Sequence, residues 1–459
     1  MRNPILTRHV LSAIGAAALV IATSAQAADA TEAGRIAELE KKLERSLRLI
    51  EDLSSKLDKL EQANAAPKET GNSQQAAKVE ELEKQVGQLT AGMGTRSEDT
   101  GLPVHGFGDV GFARSAEDHI NQASGKRIEG AKGFTVGSFD LYLTPQFGDR
   151  VKALVELNFE VNREGSVGTD LERLQVGYTF NDALTAWVGR FHTPYGYWNT
   201  AFHHGSQIQT SISRPLFLDF EDSGGILPAH TTGAWLTGSM PVAGDKVSYD
   251  LYVGNAPRIQ DVTAGLAAGR YGDGALDMKM AGNTSYTSSL GFNLGYSPSR
   301  IDGLKVGIHG LRARVGADDT NGALLDTTRM QTLGAYGAYS GERLELLAEY
   351  YHFWNKDLTG ATGTHDSSAW YAQAGYNIGA WTPYGRLEKT DLDQKDNYFL
   401  HQASGRSYKK AVLGLRYDVD AKSAVKIELA TTRKSNIGIP GTNIDDQFGE
   451  VRAQYAIRF

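Results

Sequence analysis

Val151-Lys152-Ala153-Leu154-Val155-Glu156-Leu157-Asn158-Phe159-Glu160-Val161 alternates, with apolar side chains at the odd positions and mostly polar ones at the even positions. Successive side chains of a strand point to opposite faces, so this run makes a ribbon with one apolar and one wet face. The same period recurs in Val247, Tyr249, Leu251 and Val253, in Leu290, Phe292, Leu294 and Tyr296, and in Val425, Ile427 and Leu429. Each run spans about 9–12 residues, the length a tilted strand needs to cross a bilayer. Strands of soluble proteins average nearer five or six.

Working outward, the spacing predicts about 16 strands, near 104–113, 133–144, 150–161, 170–180, 184–191, 230–240, 246–254, 285–297, 303–315, 329–340, 343–354, 367–378, 381–390, 408–419, 423–433 and 447–459. Every second connection is a tight turn, as at Asn181-Asp182, Val242-Ala243-Gly244-Asp245, Ser340-Gly341-Glu342 and Asp420-Ala421. The others, including 114–132, 192–229, 255–284, 316–328, 355–366, 391–407 and 434–446, are long and polar. Short turns alternating with long loops separate the periplasmic from the external end of an outer-membrane barrel. The expected fold is an all-β transmembrane antiparallel barrel over 104–459, preceded by an α-helical coiled coil. Trp187, Phe191, Trp235, Trp354, Trp370 and Trp381 lie near strand ends, where aromatic girdles are expected.

Composition agrees. The 459 residues include 52 Gly and 20 Tyr but no Cys, which excludes a disulfide scaffold, a Cys-ligated metal and a thiol nucleophile. A formal charge of -7 offers no concentrated basic face for nucleic acid. The soluble-looking average is what two opposite strand faces sum to.

Before the barrel, Arg2 and Arg8, the apolar Val10 to Ala22 and the A-x-A site Ala25-Gln26-Ala27 read as a signal peptide over 1–27. Over 28–62, Ile36, Leu39, Leu43, Ser46, Ile50, Leu53, Leu57 and Leu60 form a heptad seam, the pattern of a coiled coil. A linker over 63–74, a second short helix over 75–92 and a linker over 93–103 follow. One apolar stripe cannot bury itself, so the stalk is expected to pair with other copies or with a periplasmic or peptidoglycan partner.

A barrel this wide keeps an aqueous lumen unless something fills it. The longest connection, 192–229, is expected to fold inward as a constriction loop. It carries Asp219, Glu221 and Asp222, followed by Gly224-Gly225 for a tight bend. Strand parity sends Arg173, Arg190, Arg386, Arg416 and Arg452 into the lumen, with Arg312 and Arg314 also candidates if a bulge intervenes near Gly310. Carboxylates facing arginines across a narrow passage set up a transverse field that orders polar solutes, so Asp219, Glu221 and Asp222 opposite Arg173, Arg190 and Arg386 are the expected constriction. Lys152, Glu156, Glu160, Glu345, Glu349, Glu388, Lys410, Lys426 and Glu428, scattered in both signs, read as solvating charges of a polar lumen.

Gly189-Arg190-Phe191-His192-Thr193-Pro194-Tyr195-Gly196, followed by Arg214-Pro215, is similar to the motif that opens the constriction loop of the phosphate-selective porin O/P family, and Phe134 to Phe159 looks like its preceding hairpin. The resemblance covers the first half of the barrel. It implies an outer-membrane homotrimer passing small anionic or polar solutes, with Arg190 a wall arginine at the loop entrance. The chain departs from that family at Val136-Gly137-Ser138-Phe139-Asp140, where the family stacks arginines, and has no lysine cluster in the loop. The last residues, Val451, Ala453, Tyr455, Ile457 and Phe459 on one face, resemble the C-terminal signature of Gram-negative outer-membrane proteins.

His192, His203, His204 and His230 lie in or beside the long loop without a carboxylate pair at ligand spacing, so no metal is expected. No cofactor is expected either. Ser206 and Ser211 near His203 and His204 lack an elbow, so no catalytic residue is assigned. The reading is an outer-membrane porin for passive diffusion through a lipid bilayer. The alternatives are a membrane-anchored tether whose coiled coil binds the cell wall, and an outer-membrane hydrolase.

Overall fold

The computed structural model describes residues 104–459 apart from 121–126, 162–166, 203–204, 222, 264–271, 279–287, 361 and 436–445. The signal peptide, coiled coil, second helix and linkers expected before residue 104 lie outside the described residues.

Sixteen spanning strands form, numbered here β1 (Val104–Ser115), β2 (Lys132–Leu143), β3 (Val151–Val161), β4 (Val167–Asn181), β5 (Leu184–His192), β6 (His230–Val242), β7 (Asp245–Asn255), β8 (Ser288–Ser297), β9 (Leu304–Asp319), β10 (Leu324–Ser340), β11 (Leu344–Asp357), β12 (Thr364–Tyr376), β13 (Trp381–Asp391), β14 (Tyr408–Asp420), β15 (Ser423–Lys434) and β16 (Asp446–Arg458). Each pairs antiparallel with the next, and β1 pairs with β16 from Phe107↔Arg458 to Ser115↔Glu450, so the sheet closes. Closure leaves no strand edge to lipid, where an unpaired amide would cost several kcal/mol. At the seam, Gly106 and Phe459 exchange backbone hydrogen bonds of 3.1 Å. A Cβ on Gly106 would lie 2.3 Å from the Phe459 ring, so only glycine fits there.

Burial along the strands is the inverse of a soluble sheet. On β15, Val425, Ile427 and Leu429 are 40%, 50% and 53% exposed, whereas Lys426 and Glu428 between them are 0% and 1% exposed. Apolar residues therefore meet the outside and charges the inside, the arrangement a bilayer imposes.

Three expectations need correction. The loop expected over 316–328 is largely strand and that over 355–366 is strand at both ends, because β9, β10 and β11 run 16, 17 and 14 residues and β12 starts at Thr364. No bulge interrupts β9 near Gly310: its register with β10 is continuous from Leu304 to Ala317, so Arg312 and Arg314 share the outward face of Val306 and Ile308. Of the aromatic residues assigned to girdles, Trp187, Phe191 and Trp235 form a cluster inside, with ring separations of 6.2 Å and 5.5 Å, because each sits one position out of phase with the outward Val188 and Leu236. Trp354 and Trp370 do lie on the outward face, and so does Trp381, 4.5 Å from Tyr417.

The long-loop half of the lumen is narrowed. The 193–229 loop turns inward, and Trp198, Phe217, Tyr351, Phe353, Tyr371 and Phe399 make a buried core within the barrel. A short strand, Arg258–Val262, adds parallel to the projecting end of β9, and the Arg258 guanidinium is paired with Asp318.

Placing a charge on the outer belt tests the orientation. Ile427→Arg should cost roughly 2–4 kcal/mol of barrel stability in lipid vesicles, read by denaturant titration, while Thr135→Arg, inward and exposed to the internal chamber, should cost far less.

Candidate functional site

The inward-turned loop, expected to be the constriction loop, is held by the wall charges. Glu349 on β11 accepts from the amides of Tyr197 (3.1 Å) and Trp198 (2.6 Å), and from the hydroxyls of Tyr351 (2.7 Å) and Tyr371 (2.8 Å). Those amides open a one-turn helix, Trp198–Ala201, whose first N–H groups have no partner of their own. Gly196, at φ +62°, lets the chain enter: a Cβ there would lie 2.2 Å from the Glu349 carboxylate. Further on, Glu428 on β15 accepts from the Ile212 and Ser213 amides at 3.0 and 3.2 Å, and Glu388 on β13 accepts from Leu216 N–H at 2.7 Å.

Cations take the loop carbonyls. Arg386 donates to Ser213 O (2.8 Å) and Arg214 O (2.9 Å), to Ser211 Oγ (2.9 Å) and to Glu388 (2.8 Å). Lys426 Nζ donates to Gln209 O (2.7 Å) and Ser211 O (3.2 Å), and Arg416 to Gln207 O (2.7 Å) and Gln209 O (2.9 Å). Glu345 accepts from the Thr210 hydroxyl at 2.7 Å, so Glu345, Glu349, Glu388, Lys426 and Glu428, expected only to solvate the lumen, are the loop's anchors. Periodicity reports that a residue faces inward; it carries no information about what lies across from it.

The expected constriction residues separate. Arg386 is 1% exposed and lies beneath the loop. Arg173 pairs with Glu156 at 2.5 Å, and Arg190 donates to Glu172 O (3.0 Å) and Met278 O (3.2 Å). Glu221 accepts from His230 N–H at 2.9 Å and meets its ring at 3.2 Å, while the other ring nitrogen lies 2.7 Å from Glu172. Arg190 and Glu221 therefore share a small crevice on the β4–β6 side. The histidines there are taken up by carboxylates, since His192 lies 3.4 Å from Glu156. Asp222, His203 and His204 lie outside the described residues. Ser211 is spent on the anchor, accepting from Arg386 and donating to Ser213 O at 2.9 Å.

Asp219 alone of the described candidates lines the larger chamber, about 840 Å³, between the loop and the wall of β14, β15, β16 and β1. The turn that presents it closes through Ser223 and Gly225 N–H on Phe220 O at 3.0 and 2.9 Å. Burial raises the Asp219 carboxyl above its ordinary 3.8, against the pull of Arg214 at 3.9 Å. On the facing wall, Glu450 is shared by Arg452 at 3.0 Å and Lys410 at 3.9 Å. Two cations on one carboxylate make a local positive surplus at Glu450, while Asp109, Glu117 and Glu129 balance the other bases around the chamber. Lys410, classed by parity among the solvating charges, is the residue missed. Its signal was cross-strand register: Lys410, Thr432 and Phe448 sit side by side on β14, β15 and β16.

A second loop also turns inward, over 392–407. Its helix, Asn397–Leu400, is capped by Asp396, which accepts from Tyr398 N–H at 3.0 Å and Asn355 at 2.8 Å. Tyr398 donates to Ile226 O at 2.6 Å and so ties this loop to the constriction loop. Backbone bonds join it to Gly272 and Gly274 of the long connection between β7 and β8 at 2.7 and 3.0 Å. Burial pushes the Asp396 carboxyl up to about 6.

Two outcomes follow from these contacts. Glu349→Ala orphans buried donors at roughly 1–3 kcal/mol each, so limited proteolysis should cut within 197–216 of the variant while sparing the wild-type loop. Asp396 binds its proton more tightly docked than free, so its contribution to docking is full below about pH 4 and fades as pH rises through 6. Amide exchange over 397–403, corrected for intrinsic rate, should therefore slow from pH 7.5 to 5, and Asp396→Asn should flatten the dependence.

No family model matches the chain, and no curated protein matches its sequence. Among solved structures, the barrel is similar to the anion-selective porin from Comamonas acidovorans, at TM-score 0.50 and 14% identity over 78% of this chain and 99% of that one. Pseudomonas putida OprB (TM-score 0.48, 13% identity, 78% and 94% covered) and the outer membrane channel DcaP of Acinetobacter baumannii (0.48, 12%, 78% and 97%) are further matches. At such identities the likeness is one of fold: a closed 16-strand barrel of the outer-membrane porin type.

Proposed function

We propose that the chain is an outer-membrane porin for passive diffusion of small polar or anionic solutes, assembled as a homotrimer. The observation that carries this reading is the anchored loop: a barrel wall whose charges hold an inward loop, leaving a chamber beside it, is a lumen narrowed but not filled. Asp219 on the loop and Lys410 with Arg452 on the wall would supply the transverse field across that chamber. This keeps Asp219 from the expected constriction and moves its partner from Arg173, Arg190 and Arg386 to the last strands. Support for an anionic preference is local: Lys410 and Arg452 share the single carboxylate of Glu450 where the wall faces Asp219. Phosphate selectivity has weaker support, since Arg173 and Arg190 are each engaged with protein acceptors. The trimer rests on the resemblance to the O/P family.

Planar-bilayer recording of the purified protein tests this. Open channels with a reversal potential favouring chloride over potassium are expected. Asp219→Asn should increase that preference, and Lys410→Gln with Arg452→Gln should reduce or invert it. Because the Asp219 carboxyl is raised, acidification should neutralise it early and mimic Asp219→Asn. A chain that inserts but never conducts would favour the tether, with the barrel only an anchor.

A further inference from the structure

Two tryptophans stand on the inward face of a stretch of wall that does not line the chamber. Trp187 on β5 and Trp235 on β6 are directly opposite one another, and both remain partly exposed. A Cβ on Gly177 of β4 would lie 2.5 Å from Cδ2 and Cε3 of Trp187 and 2.8 Å from its Cζ3. Three contiguous ring atoms at such similar distances mark a face rather than an edge. The indole therefore lies on backbone that only glycine leaves bare, and its other face turns to the lumen. Trp235 is inclined only 21° to it, at a centroid separation of 6.2 Å. Rings so nearly parallel at that distance are offset, so the second indole extends the first across β6 instead of covering it. The buried Phe191 backs Trp235 at 5.5 Å.

Polar groups rim this surface. Asp250 on β7 accepts from Trp235 Nε1 at 3.0 Å and lies directly opposite Thr237 of β6. A carboxylate offers about four acceptor sites, so capacity remains for a ligand hydroxyl. On β4, two residues from Gly177 on the same face, Gln175 is 4% exposed and its side-chain carbonyl has no donor among the described residues. A buried amide oxygen left unbonded is costly, and a hydroxyl from a bound solute would satisfy it.

We propose that Trp187 and Trp235 form a stacking platform for a pyranose sugar inside the barrel, with Asp250, Thr237 and Gln175 hydrogen-bonding the hydroxyls at its edge. This rests on the aqueous lumen of the proposed porin and adds a neutral solute class to it. A β-glucopyranose ring carries its hydroxyls around the rim and axial C–H groups on both faces. It thus offers an apolar face to an indole and donors to a carboxylate and an amide carbonyl at the same time. A planar aromatic acid would stack as well but would bring its own carboxylate to Asp250. A quaternary ammonium is held by rings set around it as a cage, whereas these two lie side by side.

Equilibrium binding to the purified full chain, in a detergent without a sugar headgroup, tests the platform. The probes are methyl β-D-glucopyranoside and sorbitol, an open-chain polyol with similar hydroxyls and no flat ring face. Saturation-transfer NMR should mark the axial ring protons of the glucoside and leave sorbitol unmarked. Trp187→Ala should weaken glucoside binding about tenfold. Trp187→Phe should keep most of it by leaving a ring over Gly177, and Asp250→Asn should weaken it while preserving the ring-proton pattern. Trp381→Phe, on the outward face, should change nothing. A barrel that binds the glucoside in this way but never conducts would support the platform and remove only the porin reading. A barrel that conducts without marking the glucoside would overturn the platform and leave the porin reading standing. Equal transfer to sorbitol, or wild-type affinity in both Trp187→Ala and Asp250→Asn, would also overturn it.

Discussion

Everything inside this barrel depends on one constraint: a charged side chain that leaves water must be hydrogen-bonded or paired. The inward positions of β11, β13 and β15 carry Glu349, Arg386, Glu388, Lys426 and Glu428, each at most 3% exposed. Unpartnered, such groups would be prohibitively costly in a lumen packed with aromatic rings. Their partners are main-chain groups of the constriction loop, carboxylates taking amides and cations taking carbonyls. The loop has little regular structure of its own, so it needs these bonds as much as the wall does. Each satisfies the other, which fixes the loop in one place.

The position of the passage follows. With the loop docked on β11 to β15, the space left over lies along β14 to β16 and β1, and the residues there face the chamber. Asp219 reaches it because the turn at Phe220 to Gly225 presents it on the loop's free edge. Glu221, two residues on, is drawn away by His230. The loop over 392–407 adds a roof, so the outer mouth is shaped by more than one long connection.

Much of the fold was legible in the sequence. Val425 to Leu429 and Val151 to Val161 announce two-faced strands through their period alone, and all sixteen spanning strands fall where that period and the turn residues place them. Errors arose where period and environment part company. The ends of β9 to β11 project past the membrane and no longer look like belt strands, so 316–328 read as loop. Trp187 and Trp235 are aromatic near strand ends, yet odd and even positions decide which side of the wall they meet.

The candidate site was less legible. Local sequence determined that there is a long third loop, that it bears acidic residues and a glycine pair, and that a set of arginines points inward, because strand parity and turn chemistry are properties of neighbours in the chain. Only the tertiary structure decided which inward charges became anchors and which were left facing the chamber. That choice is made by contacts such as Glu428 with Ser213, 215 residues apart, and by the cross-strand register that brings Lys410 to the Glu450 that Arg452 already holds on its own strand. No alternation pattern encodes a pairing over that distance.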